Sequence, residues 1–351
     1  MRIGYEESFT KEDFSSLSQI IEYLDTRYSM LRAKYSLNIG IASSSKVLED
    51  LKVKSTLEYR GLVYNIHKKD DNLYKAKIGK KTIILYYIIR NGKSKDEKSS
   101  YYLFLSDDNR SRQVFLTFIR NSKPYFETGL LYQKNIFDIL DAFEEKYGEL
   151  KFVEGTLRSP FKTQRIWNKR PIIYNRVQLE NMAKEVDGRW SSLVIQSDVN
   201  NIRFRIYEDG WITLYHGSLK LLMEDILKPV LRMIDFNRLM FKEVEDNAPN
   251  DESLKILRFE SDEPFTKDVL LRVRDELAGK YIISVIHAGN PYLHIDIVDK
   301  KDYSSLTLFA TDNVIELIPG RKISSATLIE ITSILLNIFP TLKIRVVMQH
   351  C

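Results

Sequence analysis

The hydrophobic period changes repeatedly along this chain, and that change limits the possible folds more than any other feature. Apolar side chains between residues 14 and 31 recur at three- and four-residue steps, which predicts an amphipathic helix. From Thr56 to Leu131 the period falls to two and the residues become β-branched and aromatic, which is typical of strands. Runs of strands bracketed by helices predict an α+β fold, with antiparallel sheets and the helices on one face.

The region from Thr56 to Leu131 contains five predicted strand segments. They read LEYRGLVYNI, TIILYYII, YYLFL, QVFLTFI and PYFETGLL. TIILYYII and YYLFL are apolar at successive positions, so we expect them to be central strands covered on both faces. The polar run between them, Asn91 to Ser100, is predicted to be a disordered loop tip.

A helix, a strand meander, a second helix and a return strand occur twice in the same order. The first copy has strands WSSLVIQ, IRFRIY and WITLYH between helices at Val177–Val186 and Leu219–Ile234, and it ends in the strand RLMFKEV. This common order predicts internally repeated helix–strand meander–helix units. The predicted division is an N-terminal mixed α+β domain at 1–150, a basic connector at 151–176, a middle α+β unit at 177–246, a linker at 247–253 and a C-terminal α+β unit at 254–351.

Composition narrows the class of protein further. Of the 351 residues, 44% are apolar, which is enough for a sizeable core. The single cysteine, Cys351, excludes a disulfide framework and a cysteine zinc site. No apolar run reaches the length of a membrane span, so we expect no membrane partner. The first residues lack the basic patch and apolar stretch of a secretory signal, which predicts a cytoplasmic protein.

Positive charge is concentrated between residues 151 and 176, where seven basic side chains face one acid, Glu154. Arginine forks bind phosphates, aromatic rings stack on bases, and an extended segment can follow a sugar-phosphate backbone. The alternative is a linker between two domains, with its rings packed inward and its charges solvated. The basic side chains are Lys151, Arg158, Lys162, Arg165, Lys169, Arg170 and Arg176, and the interleaved rings are Phe152, Phe161, Trp167 and Tyr174.

A second candidate surface lies on the strands IRFRIY and WITLYH. Strand alternation places Arg203, Arg205 and Tyr207 on one face, with Trp211 and Tyr215 on the matching face of the next strand. Sheet faces that bind single strands or RNA combine rings for stacking with arginines for phosphates. The alternative is that a neighbouring domain covers this face and the arginine stems lie along the rings.

The titratable residues give no catalytic or metal site. His294 and Asp296 share one strand face, but two or three ligands on a single strand do not form a convincing zinc site. Asp138, Asp141 and Glu145 recur at helical steps opposite apolar residues, which places them on the solvent side of a helix. We therefore predict no catalytic residue, no metal and no cofactor.

The repeated unit resembles the half-repeat of TATA-box-binding proteins, whose two copies form a saddle over nucleic acid. The resemblance covers Lys169 to Val347, and the paired phenylalanine wedges of that family have no counterpart here, so DNA bending is not implied. The length, the basic connector and the lack of an active site also resemble the APAZ-like partner subunits of short prokaryotic Argonautes. That resemblance implies a basic channel for guide and target, without a nuclease centre, in antiviral defence.

We thus predict a non-catalytic, nucleic-acid-binding accessory subunit that works beside a protein partner holding any catalytic activity. The alternative is a protein–protein interaction scaffold without nucleic acid, because Tyr, Trp and Arg are also the residues that dominate protein interfaces. The predicted nucleic-acid-binding residues are Arg158, Lys162, Arg165, Trp167, Lys169, Arg170, Arg176, Arg203, Arg205, Tyr207, Trp211 and Tyr215.

Overall fold

The computed structural model confirms an α+β fold with two antiparallel sheets, whereas the internal repeat is not confirmed. The structure describes residue 9 and residues 14–30, 36–44, 56–59, 62–70, 73–78, 82–90, 100–107, 111–124, 126–159, 162–246, 253–288 and 292–350. The described helices are α1 Leu17–Met30, α2 Ser111–Asn121, α3 Gln133–Tyr147, α4 Arg176–Lys184, α5 Leu219–Leu222, α6 Lys228–Glu245, α7 Lys267–Ala278 and α8 Ser325–Ile338.

The strands fall into a large and a small sheet. They are β1 Leu37–Ser44, β2 Thr56–Tyr59, β3 Leu62–Asp70, β4 Leu73–Ile78, β5 Thr82–Arg90, β6 Ser100–Ser106, β7 Phe126–Thr128, β8 Lys151–Arg158, β9 Thr163–Ile173, β10 Arg189–Ser197, β11 Ile202–Tyr207, β12 Ile212–His216, β13 Ser253–Glu260, β14 Ile282–Ala288, β15 Leu293–Val298, β16 Ser305–Ala310, β17 Val314–Pro319 and β18 Lys343–His350.

The large sheet has twelve strands among the described residues. Their order is β2-β3-β4-β5-β6-β1-β12-β11-β10-β8-β9, and β7 pairs with β1. The two strands that we expected to be central, β5 and β6, lie side by side inside this sheet, which confirms their central position. Successive residues from 101 to 107 are buried, as expected for a strand that is covered on both faces.

Helices contact both faces of the large sheet. On one face Phe143 of α3 packs against Phe204 of β11, with 5.8 Å between ring centroids. On the other face Phe115 of α2 packs against Phe104 of β6 at 4.6 Å. Gly40 lies beneath Trp211 on this second face, and a Cβ atom there would come within 2.6 Å of the indole ring. Glycine at position 40 is therefore required for the close approach of the ring to β1.

Two segments that we predicted to be strands are helical, and those predictions are wrong. QVFLTFI lies in α2, where Val114, Phe115 and Phe118 form the buried side of the helix. RLMFKEV lies in α6, where Phe241 and Val244 are buried at a three-residue step. Both segments contain short apolar runs that fit either period, so packing on the sheet decides between helix and strand. A π-helical turn, Met223–Leu227, joins α5 to α6.

The segment expected to be an extended basic connector forms a β-hairpin of β8 and β9. At the turn the Ser159 amide donates a hydrogen bond to the Lys162 carbonyl, with an N···O distance of 2.9 Å. At the open end the Tyr174 amide donates to the Leu150 carbonyl at 2.8 Å. Since β8 also neighbours β10, the hairpin completes one margin of the large sheet.

The chain divides into two compact units, and each unit is assembled from separate segments. One unit comprises Met1–Gly155, Ile166–Arg176 and Ser191–Ile234, and the other comprises Thr156–Arg165, Val177–Trp190 and Asp235–Cys351. This division differs from the consecutive domains that the sequence suggested, because strand pairing brings distant segments together. Residues 91–99 of the predicted loop tip and residues 247–252 of the predicted linker lie outside the described residues.

The small sheet has the strand order β14-β15-β16-β17-β13-β18 in the part of the chain that the structure describes. A row of apolar side chains crosses it in register, from Ile295 through Leu308 and Leu317 to Leu257, and all four are fully buried. Helices α7 and α8 pack together in the same unit. None of the described helices has the length and apolarity needed to cross a membrane.

A buried polar cluster connects the turn after β15 to the start of α8. The Thr327 hydroxyl donates to the carboxylates of Asp302, at 3.0 Å, and Asp299, at 3.2 Å. Ser324 caps the helix by accepting from the Thr327 amide at 3.2 Å. One turn and a half further along, the equally buried Thr332 hydroxyl has no hydrogen-bond partner within the described chain.

Candidate nucleic-acid interface

Strand β9 is the outermost strand at one margin of the large sheet. Its sequence, TQRIWNKRPII, lacks the apolar alternation of a half-buried strand, and its residues from Lys169 to Ile173 are all exposed. Pro171 suits this position, because proline cannot donate to a ladder and is tolerated on edge strands. From Lys169 to Ile173 the strand therefore exposes both faces, whereas nearer the turn Gln164, Ile166 and Asn168 are partly covered and the face with Arg165 and Trp167 is exposed.

Trp167 is the exposed aromatic side chain of β9. Its side chain is 62% exposed, and it makes no ring contact with the residues that the structure describes. Strand alternation places Arg165 and Lys169 on the same side as Trp167, about 6.6 Å away in either direction along the strand. Arg170 projects to the opposite side. An exposed ring between two cations has the composition of a stacking platform for single strands.

The cations of β9 are not offset by acids on the same strand. No Asp or Glu occurs between Thr163 and Ile173, and within the described chain Lys169 and Arg170 make no ion pair. Lys162, in the hairpin turn, is also exposed. We call Lys162, Arg165, Trp167, Lys169 and Arg170 the basic edge. These five predicted site residues lie within nine consecutive positions of the chain.

The only acid of the basic segment, Glu154, is buried on β8 and forms an ion pair with Arg205 of β11. Both side chains are almost inaccessible to solvent. A buried pair of this kind is satisfied internally, and Arg205 has no free charge to offer a phosphate. Arg205, which we predicted as a binding residue, is therefore part of the sheet's own packing.

Tyr207 lies beside Arg205 and contacts a second arginine, Arg112. Two guanidinium groups lie over its ring, with Arg112 Cζ at 4.4 Å and Arg205 Cζ at 5.4 Å from the centroid. Arg112 of α2 also forms an ion pair with Asp209, with 3.0 Å between Nε and Oδ2. Burial opposes the charge of Arg112, but the Asp209 carboxylate outweighs it and raises the pKa of the guanidinium. The half-buried Tyr207 ring is thus already engaged by two arginines of the fold.

The predicted exposure of Trp211 is wrong. Its side chain is 1% exposed, and its ring packs 5.2 Å from that of Phe115 on α2. The error follows from the assignment of α2 as a strand, because a helix at that point covers the face that Trp211 occupies. The same error concealed Arg112, for which the sequence pattern gave no signal.

Arg203 and Tyr215 are the remaining members of the predicted sheet face, and both are half-buried. The Arg203 guanidinium lies 5.4 Å above the Tyr215 ring. This geometry matches the alternative in which arginine stems lie along the rings. The structure thus separates these two residues from the exposed ring of Trp167.

Two further predicted cations, Arg176 and Arg158, are held by internal partners. Arg176 Nη1 lies 2.9 Å from Asp138 Oδ1 and 2.7 Å from Asp141 Oδ2. The Tyr174 hydroxyl donates to Asp141 at 2.8 Å, and burial together with this hydrogen bond raises the pKa of Tyr174. Arg158 donates to the side chain of Asn337. These arginines stabilise the fold where we had expected phosphate contacts.

Within the residues that the structure describes, no group of three or more His, Cys, Asp or Glu side chains is arranged to hold a metal ion. His294 lies edge-on to Phe309 at 5.7 Å, and Asp296 accepts a hydrogen bond from Thr307 at 2.7 Å. Comparison of the sequence with protein-family models and with curated proteins finds no match.

Proposed function

We propose that this protein binds single-stranded nucleic acid along the basic edge, as an accessory subunit of a larger complex. The observation that carries the proposal is the exposed ring of Trp167 between Arg165 and Lys169 on an outermost strand. In the proposed complex a base stacks on the indole ring, and the flanking cations neutralise the phosphates on either side.

The chemistry of β9 favours a polyanion over a protein strand as its ligand. A strand added at this edge would have to pass Lys169 and Arg170, and Pro171 offers no amide hydrogen to it. Edge charges and proline are the usual means by which sheets prevent strand addition. A phosphate backbone is instead attracted by the positive charges, and it binds without the backbone hydrogen bonds that an added strand would need.

Salt dependence tests the electrostatic part of the proposal. Four cations of the basic edge give about four neutralised phosphates, so the log–log slope of affinity against salt is expected near −3 for a single strand. Fluorescence anisotropy with labelled DNA and RNA oligonucleotides of mixed sequence measures this slope. A slope indistinguishable from zero would remove the proposal.

Intrinsic fluorescence tests the stacking part directly. The chain has three tryptophans, and Trp190 and Trp211 are fully buried whereas Trp167 is exposed. Quenching by an oligonucleotide that stacks on Trp167 should therefore remove the same part of the emission that acrylamide removes from the free protein. If an oligonucleotide binds and the acrylamide-accessible emission is unchanged, the ligand lies elsewhere.

The non-catalytic role and the protein partner, such as a short Argonaute, stay predictions from the sequence. The alternative function, a protein-interaction scaffold, is favoured by the exposed apolar side chains of α6, where Phe236 and Leu239 face solvent. The absorbance ratio at 260 and 280 nm of the purified protein separates the two. A scaffold carries no nucleic acid, whereas the proposed function predicts co-purification that is lost in high salt.

A further inference from the structure

The small sheet ends in β14, an edge strand whose side chains differ from the basic ones of β9. Strand β14, IISVIHA, contains no Lys, Arg, Asp or Glu, and six of its seven residues are exposed, on both faces of the strand. Val285 and Ile286 are 43% and 55% exposed. Since β14 is the last strand of the described sheet, its outer backbone edge has no strand partner there.

The apolar surface of β14 continues onto β15. Ile282 lies opposite Val298 in the antiparallel register, and both are exposed. Tyr292, directly before β15, is exposed as well. Five of the fourteen large apolar side chains that are exposed among the described residues lie on β14, on β15 or directly before β15. The register with Ile295 places Val285 on the sheet face opposite to Ile282, so both faces of this edge expose apolar side chains.

The edge of β14 lacks most of the devices that prevent strand addition. It has no charge and no proline, and its one irregularity is a register shift against β15 between Val285 and His287. The stretch from Ile282 to Val285 is regular and pairs residue by residue with β15. An uncharged regular edge is a template for another strand.

We propose that β14 pairs with β14 of a second copy of this chain, so that the small sheet continues across a two-fold axis. An isologous antiparallel contact brings identical strands together, so every charge on the strand would meet its like. Strand β14 carries none, whereas β9 exposes Lys169 and Arg170, and the opposite edge, β18, exposes Lys343 and Arg345 in ion pairs with Asp262 and Glu260. Among these three edges, β14 alone carries no charged side chain that would face its own copy.

Light scattering coupled to gel filtration tests the proposal with the intact chain. At high salt, and after nuclease treatment to exclude bridging by nucleic acid, the mass should rise with concentration from 41.2 kDa to twice that value. Hydrogen exchange at the amides of β14 should slow over the same concentration range. A mass of one chain at every concentration, or a mass that grows beyond two copies, would overturn the two-fold pairing.

A matched pair of variants assigns the contact to β14. Val285→Lys places a charge on the edge and should leave the protein monomeric, with at least tenfold weaker association. Val199→Lys makes the same change at an exposed valine in the turn between β10 and β11, and it should keep the dimer. If Val285→Lys fails to fold by circular dichroism, Ile282→Lys serves in its place. Retention of the dimer by the edge variant, or its loss in Val199→Lys, contradicts the proposal.

Discussion

Strands β9 and β14 are both edge strands in the described chain, but they carry side chains of opposite character. Strand β9 carries Arg165, Lys169 and Arg170 with one exposed indole ring, whereas β14 carries no Lys, Arg, Asp or Glu and three exposed aliphatic side chains. Pro171 removes one amide hydrogen from the backbone of β9, whereas β14 contains no proline. The side chains therefore determine which partner each edge accepts.

Exposure alone does not define a binding site in these two sheets. Exposed cations beside a ring attract a phosphate chain and repel a second copy of themselves, so an edge such as β9 suits nucleic acid. An uncharged apolar edge gains from burial and from completing a ladder, so an edge such as β14 suits a strand. The two proposals are independent, because they involve different strands and respond oppositely to salt.

The largest expected effect comes from charge reversal on β9. Lys169→Glu combined with Arg170→Glu should weaken oligonucleotide binding by about a hundredfold, because two phosphate contacts become repulsive. Anisotropy titration at low salt measures the loss. The adjacent exposed cations Arg321 and Lys322 provide the control, since Arg321→Glu with Lys322→Glu makes the same change in net charge. Equal losses in both variants would reduce the role of β9 to a general charge effect.

Removal of the ring should have an intermediate effect. Trp167→Ala is expected to cost about 1–3 kcal/mol of binding free energy, the usual contribution of one base–ring stack. Trp167→Phe should restore most of it, because phenylalanine keeps a ring face. Phe236→Ala, which removes a similarly exposed ring from α6, should bind like the wild type. Binding that is unchanged in Trp167→Ala would leave β9 as a patch of charge without a stacking site.

The smallest effect tests the buried polar cluster in the turn after β15. Thr327→Val removes the hydroxyl that donates to Asp299 and Asp302, and it should lower the free energy of unfolding by about 0.5–1.5 kcal/mol, because Asp302 keeps its hydrogen bonds from Ser304 and Ser324. Thr332→Val, at an equally buried position of α8 without a hydrogen-bond partner within the described residues, should be neutral or stabilising. Urea unfolding of both variants measures the difference. Equal stabilities would mean that the polar cluster does not secure this turn.

Regular periodicity made much of the fold predictable. The helix expected to carry Asp138, Asp141 and Glu145 corresponds to α3, and the two segments with continuous apolar runs form the central strands β5 and β6. The buried residues of α3 follow the helical period along its length, and β6 is buried at successive positions, as its continuous apolar run predicted. Short mixed runs such as VFLTFI satisfy both periods, so only tertiary packing decides between them.

The candidate site was less predictable than the fold. Basic residues and Trp167 in the segment from 151 to 176 were identified from composition, but the pairing of Glu154 with Arg205 joins positions that no local pattern connects. The burial of Trp211 depends on α2, which lies almost a hundred residues earlier in the chain. Contacts between residues far apart in the chain thus bury or pair most of the predicted binding residues. The exposed candidates that remain lie on β9 or in the turn before it.

The interleaved division of the chain has a practical consequence for dissecting this molecule. Between residues 155 and 235 the chain alternates between the two units, so a single cut anywhere in that interval separates segments that belong together. During synthesis the first unit remains incomplete until Ile234 has left the ribosome, by which time part of the second unit has already been made. Truncations should thus yield insoluble fragments, and dissection by point substitution in the intact protein is the workable route.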